Sequence, residues 1–73
     1  MKLLAKVHTL QLKLNRMINI KVDKLNEHDL NDFKELLNQT HQQALLENNE
    51  LAINLIEILQ RGFSKLMYKF HEF

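Results

Sequence analysis

Residues 51–73, LAINLIEILQRGFSKLMYKFHEF, decide the fold of this chain. Apolar residues recur in this stretch at alternating intervals of four and three positions, and they are Ala52, Ile56, Leu59, Phe63, Leu66, Phe70 and Phe73. This spacing places them on one face of an α-helix, as in the a/d pattern of three heptads. Four neighbours widen that face, namely Leu51, Leu55, Gly62 and Met67. The stretch therefore predicts a helix over about residues 50–71 whose apolar face must be covered by other helices.

The composition supports the same fold class. The chain of 73 residues has one glycine, no proline and 15 leucines. Turns and hairpins normally need glycine and proline, so the composition predicts helices joined by short connections. Cysteine is absent, which excludes disulfides and thiolate metal sites. A chain of this length forms one domain, residues 1–73, near the lower size limit for independent folding, so we expect tight helix packing or self-association to support it.

The first 25 residues fit a helix better than a hairpin, but both remain open. Apolar side chains share one helical face over about residues 2–25, and they are Leu3, Val7, Leu10, Leu14, Met17, Ile18 and Leu25. Leu12 and Ile20 fall outside that face. The alternative is a β-hairpin over residues 8–23, because apolar residues also alternate on both sides of Asn15 and Arg16.

The middle of the chain predicts a second helix over about residues 29–47. Its apolar face holds Leu30, Phe33, Leu37, Thr40, His41 and Ala44. The preceding NEHDLND, residues 26–32, supplies capping side chains, and ENNE, residues 47–50, offers a C-cap or an N-cap. The predicted fold is all-α: a small three-helix, up-down-up bundle. The alternative is a helical hairpin in which one long helix runs through ENNE. We expect self-association in either case.

Charge is segregated along the chain. Residues 1–25 carry a net charge of +5 and residues 26–50 a net charge of −5, within an overall +1. One interpretation is that the first two helices lie antiparallel and their rims attract each other. The other is that a basic stripe contacts nucleic acid through Lys2, Lys6, Lys13, Arg16 and Lys24. The low net charge and the lack of a nucleic-acid-binding motif make the second interpretation the weaker one.

The sequence predicts no catalytic site, no metal site and no cofactor. The four histidines, at positions 8, 28, 41 and 71, are never three or four residues apart, so no helix face presents a pair of ligands. Ser64 is the only serine and lies inside a helical pattern, without the strained turn that presents a nucleophile. His41 falls on the apolar face of the second helix, where we expect a partly buried, hydrogen-bonded side chain.

These observations favour a non-catalytic protein-interaction module, such as a small regulator, inhibitor, adaptor or assembly factor. Apolar residues left over after the core is covered suggest a second buried surface, and they are Leu12, Ile20, Ile53, Ile58 and Tyr68. The sequence places the partner site on the C-terminal helix, at Met67, Tyr68, Phe70 and Phe73. We expect the partner to be another protein, a second copy of the chain in a homodimer, or both. The alternative is a small dimeric nucleic-acid-binding regulator that uses the basic N-terminal helix.

The sequence also bears on the location and the source of the protein. No apolar run is long enough to cross a bilayer. A signal peptide needs an apolar core, and Lys6, His8 and Lys13 interrupt the N-terminal stretch where that core would lie. We therefore expect a cytoplasmic protein without a membrane partner. Abundant Asn, Lys, Ile and Leu with little Gly and Pro is typical of AT-rich coding. That composition suggests an accessory protein of a phage or another mobile element.

Overall fold

The protein is a bundle of three α-helices. The computed structural model describes residues 2–21 and 24–72, and the side chain of Glu72 lies outside this description. Helix α1 spans Lys2–Asn19, α2 spans Glu27–Leu46 and α3 spans Glu50–Glu72, and the described residues contain no strand. The predicted all-α three-helix bundle is confirmed. The hairpin over residues 8–23 and the continuous helix through residues 47–50 are both wrong.

Helix α1 ends six residues before the position that its apolar spacing predicts. The amide of Ile20 donates to the carbonyls of Arg16 and Met17, and the helix stops there. Asn19 and Ile20 have low helix propensity, which favours an end at this point. Leu25 therefore lies in the connection, where it packs against the core as a partly buried side chain.

The helices run up, down and up. Residues 6 and 13 of α1 lie beside residues 43 and 32–36 of α2, so these two helices are antiparallel. A connection of three residues, 47–49, reverses the chain between α2 and α3. Helix α3 packs most extensively against α2 and next against α1, whereas α1 and α2 contact each other least. The bundle measures 38 × 18 × 17 Å, with α3 as the support for both other helices.

The core is the set of positions that helical spacing predicts. The buried apolar residues are Leu3, Val7, Leu10, Leu14, Met17, Leu30, Phe33, Leu37, Ala44, Ala52, Ile56, Leu59, Phe63 and Leu66. At the centre the rings of Phe33 and Phe63 lie 5.1 Å apart, tilted by 47°, a geometry that aromatic pairs favour. Ile18, in the last turn of α1, is half exposed and departs from the prediction, as do Leu51 and Leu55 on α3.

Helix α1 approaches α3 closely at Gly62. A methyl group added at Gly62 would lie 3.2 Å from Cδ2 of Leu14, which is tighter than ordinary van der Waals contact. Glycine is otherwise unfavourable inside a helix, by about 1 kcal/mol relative to alanine. The residue thus gives up helix propensity and allows the two helices to pack closely.

Valine at position 62 should separate α1 from α3. We expect Gly62→Val to lower the free energy of unfolding by about 1–3 kcal/mol, because the added carbons overpack the site against Leu14. Gly62→Ala should stay within about 1 kcal/mol of the original protein, since higher helix propensity offsets the shift of Leu14. Urea denaturation measures both changes, with Ser64→Ala and Ser64→Val as matched controls on an exposed position of α3. Equal stability of the two Gly62 variants would contradict the close approach.

The turn between α2 and α3 is built by two asparagines. Asn48 has φ = 54°, in the left-handed region, and its amide donates to the carbonyl of Leu45. The amide of Asn49 donates to the carbonyl of Ala44, which completes the hydrogen-bond pattern of a Schellman motif. The Asn49 side chain then accepts from the amide of Ala52 at 3.2 Å and caps α3. ENNE therefore serves as C-cap and N-cap at once.

Glycine at position 48 should preserve the stability of the protein, whereas alanine should lower it. Because alanine lacks both the freedom of glycine and the local polar contacts of asparagine, we expect Asn48→Ala to cost about 1 kcal/mol of unfolding free energy. Asn48→Gly should match or slightly exceed the original stability. Thermal unfolding followed by circular dichroism measures the difference, with Asn38→Ala in the exposed middle of α2 as control. A stable Asn48→Ala variant would show that the left-handed turn contributes little.

Candidate interaction surfaces

The described residues do not gather a set of metal-binding side chains. They hold no cluster of three or more His, Asp or Glu side chains placed to bind a metal ion. Among them, Nε2 of His28 lies 3.4 Å from Oδ2 of Asp32, one turn apart on α2, and both side chains are largely exposed. Ser64 is exposed on α3 beside Gln60 and Lys34. These arrangements are ordinary for helix surfaces.

The predicted C-terminal partner site is divided in the structure. Met67 and Phe70 are partly buried and pack against the core, whereas Tyr68 is 70% exposed. Phe73, the fourth predicted residue, lies outside the described residues. The three described members of this site therefore do not form one continuous face, and Tyr68 is the member that is available to a partner.

The predicted basic stripe is also divided. Lys2 and Lys6 line a cleft between α1 and α2, and Lys13 lines the adjoining cleft with Asp32 and Glu35. Arg16 is exposed in the last turn of α1. Lys24 lies in the connection after α1 and so does not share a helix face with the other four, because α1 ends at Asn19.

An exposed apolar ridge runs along α3. We define the α3 ridge as Leu51, Leu55 and Ile58, of which Leu51 and Ile58 are 58% and 60% exposed. Gly62 follows at the same four-three-four spacing, and Gly62 faces Leu14 of α1. The ridge therefore lies on the flank of α3 toward α1, outside the buried seam. Its spacing is visible in the sequence, but Leu51 and Leu55 were expected to widen the buried face.

A groove separates α1 from α2 on the side away from α3. Its main cleft has a volume of about 580 Å³ and is lined by Lys2, Ala5, Lys6, Thr9, Leu10, Leu36, Gln39, Thr40 and Gln43. A second cleft of about 370 Å³ continues it past Lys13, Asp32 and Glu35, and shares Leu36 and Gln39 with the first. We call this continuous feature the α1–α2 groove. Sequence reasoning missed it, although Leu36 at the flank of α2 was a partial signal.

His41 departs from the prediction in its hydrogen bonding. The side chain is partly buried on α2, as predicted. Within the described part of the chain, however, its buried Nε2 atom has no hydrogen-bond partner. A buried polar atom without a partner carries a desolvation cost. The expected hydrogen bond of His41 is not formed at Nε2 within the described residues.

Comparison with known proteins identifies no relative. The chain matches no protein-family model, no curated protein sequence and no solved structure. Among the described residues, no helix combines the length and the apolar character that crossing a bilayer requires.

Replacement of His41 by leucine should stabilise the bundle. We expect His41→Leu to raise the free energy of unfolding by about 1–3 kcal/mol, because it removes a buried polar atom that has no partner. His8→Leu, on an exposed position of α1, is the matched control and should change stability by less than about 0.5 kcal/mol. Urea denaturation at neutral pH measures both variants. A destabilised His41→Leu protein would mean that the imidazole makes a compensating contact.

Proposed function

We propose that this chain is a non-catalytic protein-interaction module that self-associates through the α3 ridge. The observation that carries the proposal is that the core is complete without the ridge, yet Leu51, Leu55 and Ile58 stand exposed in a line on one helix. Single exposed apolar residues are normal, whereas a continuous row on one helix is typical of an interface. A regulator, adaptor or assembly factor would each use such a surface.

A second copy of the chain is the occupant that the ridge fits best. Its side chains are apolar, so two ridges can pack against each other without burying a charge. Their four-three spacing is the pattern with which like helices pack side by side. Twofold dimers, in which the same surface serves both subunits, are the commonest oligomers. A domain of this small size also gains the stability that a second subunit supplies.

The molecule is large enough for such an interface. Stable interfaces bury about 800 Å² on each partner, which is about one seventh of the 5529 Å² surface of this chain. One long side of the 38 × 18 × 17 Å bundle has this order of size. The exposed Leu51 and Ile58 on α3 would contribute apolar area to such an interface.

The placement of the basic residues favours a protein partner over nucleic acid. Lys2 and Lys6 flank an apolar cleft, and Lys13 lies near two carboxylates. A phosphate backbone favours an open basic surface that is free of competing acidic groups. This placement supports the interaction-module proposal over the nucleic-acid-binding alternative. The main cleft of the α1–α2 groove, moreover, is lined by no carboxylate and no histidine that would serve as a general base.

Two charges placed on the ridge should prevent self-association. We expect the original protein to increase in mass from 8.7 kDa toward twice that value as its concentration rises. The double variant Leu51→Glu, Ile58→Glu should remain a monomer, because an interface would bury two carboxylates without partners. Both positions are exposed, so the variant should keep its helical circular dichroism. Sedimentation equilibrium at low and high concentration measures the mass.

The matched control is Leu45→Glu, Leu46→Glu, which adds the same charge on two exposed leucines of α2. This control should associate like the original protein. A mass of 8.7 kDa for the original protein at every concentration would disprove self-association. An association that survives the ridge variant but is lost in Tyr68→Glu would move the interface to the C-terminal site.

A further inference from the structure

The main cleft of the α1–α2 groove has a mostly apolar lining. Ala5, Leu10 and Leu36 contribute carbon atoms to its lining, and Leu36 is 42% exposed there. The two hydroxyls in the groove are already used by their own helices. Thr9 donates to the carbonyl of Ala5 at 3.0 Å, and Thr40 donates to the carbonyl of Leu36 at 2.7 Å. An apolar side chain can therefore enter the groove without leaving these hydroxyls unpaired.

Lys6 is held over one end of this groove. Its Nζ donates to Oε1 of Gln43 across the groove at 3.4 Å, and Nε2 of Gln43 donates to Oε2 of Glu47 at 2.9 Å. Among the described residues, neither Lys6 nor Lys2 forms an ion pair. The ammonium of Lys6 thus rests on a long bond to a neutral amide, and an incoming carboxylate would make a shorter, charge-assisted bond in its place.

The groove has opposite character at its two ends. Lys2 and Lys6 stand at one end, opposite neutral glutamines. Asp32 and Glu35 stand at the other end, beside Lys13. Complementary charge fixes the orientation and the register of a partner more than it adds affinity. Lys2 and Lys6 would attract an acidic group at their end, whereas the two carboxylates at the far end outnumber Lys13.

We propose that the α1–α2 groove binds one amphipathic helix of a partner protein, with apolar residues on its floor and carboxylates at Lys2 and Lys6. The groove extends along α1 from Lys2 to Lys13, which corresponds to about 17 Å or three helical turns. A helix that enters a groove does so through apolar residues at i, i+4 and i+7. The added helix would complete a four-helix arrangement beside α1 and α2, the pair of helices that contact each other least.

This site is independent of the α3 ridge. The ridge lies on the flank of α3, whereas the groove is lined by α1 and α2 without any residue of α3. Self-association and partner binding can therefore occur together, so that a dimer would present two grooves. Failure of one proposal leaves the other to be tested on its own.

The probe is a synthetic peptide of about 14 residues, stapled on its outer face so that it is helical when free. It carries leucines at i, i+4 and i+7, glutamates beside the first half of this row and lysines beside the second. A second peptide keeps the leucines and replaces every glutamate by lysine. Fluorescence anisotropy measures binding to the full chain and to three variants: Leu36→Glu, Lys6→Glu and Ile58→Glu.

We expect the glutamate peptide to bind the original protein and the lysine peptide to bind it more weakly. Leu36→Glu should weaken binding about tenfold or more, because the new carboxylate would be buried against the leucines of the peptide. Lys6→Glu should reverse the preference and favour the lysine peptide. Ile58→Glu, on the ridge, should bind the glutamate peptide as the original protein does, whether or not it dimerises.

Four results would overturn the proposal. They are no binding of either peptide, binding that Leu36→Glu leaves unchanged, a charge preference that Lys6→Glu does not alter, and loss of binding in Ile58→Glu. A duplex DNA that displaces the peptide and depends on Lys6 would assign the basic end to nucleic acid instead. Circular dichroism of each variant confirms that the fold is intact, and Leu36 and Lys6 are both exposed enough to make this the expected outcome.

Discussion

The packing of both other helices depends on the burial of one face of α3. Helices α1 and α2 each pack more extensively on that face than on each other. Phe33 of α2 contacts Phe63, and Leu14 of α1 approaches Gly62 closely, within a core that extends along all three helices. Because the two helices share one support, a groove remains between them on its far side. The groove is thus a consequence of how the core is built.

Much of the fold could be predicted from the sequence, because burial in a helix follows a simple spacing. Every buried apolar residue lies on a face that the pattern predicts, from Leu3 to Leu66. The end of α1 could not be predicted in this way. The apolar spacing continues through Ile18 to Leu25, whereas the helix ends where its backbone hydrogen bonds end, near Ile20. Spacing reports which residues share a face and does not report where the backbone leaves the helix.

The interaction surfaces were much harder to predict. Leu51 and Leu55 belong to the wide apolar face of α3, but α1 and α2 cover only part of that face. The part that stays exposed depends on the side of α3 against which α1 packs. That side is set by tertiary packing. The groove depends likewise on the spacing between two helices. The sequence predicts a partner site among the C-terminal residues. In the structure, however, Met67 and Phe70 are partly buried and pack against the core.

The structure changes the interpretation of the charge segregation along the chain. The basic α1 and the acidic α2 lie antiparallel, yet the described residues form no ion pair between them. Exposed pairs would add little stability in any case. The opposite charges instead give the groove a direction, because Lys2 and Lys6 mark one end and Asp32 and Glu35 mark the other.

The short turn at Asn48 also favours early pairing of α2 with α3. Three residues connect α2 to α3, whereas seven separate α1 from α2. Closing a short loop costs less chain entropy, and contacts between sequence neighbours form faster. Helices α2 and α3 can therefore pair as a hairpin before α1 arrives. On this route α1 docks last, onto a surface that the other two helices have already made.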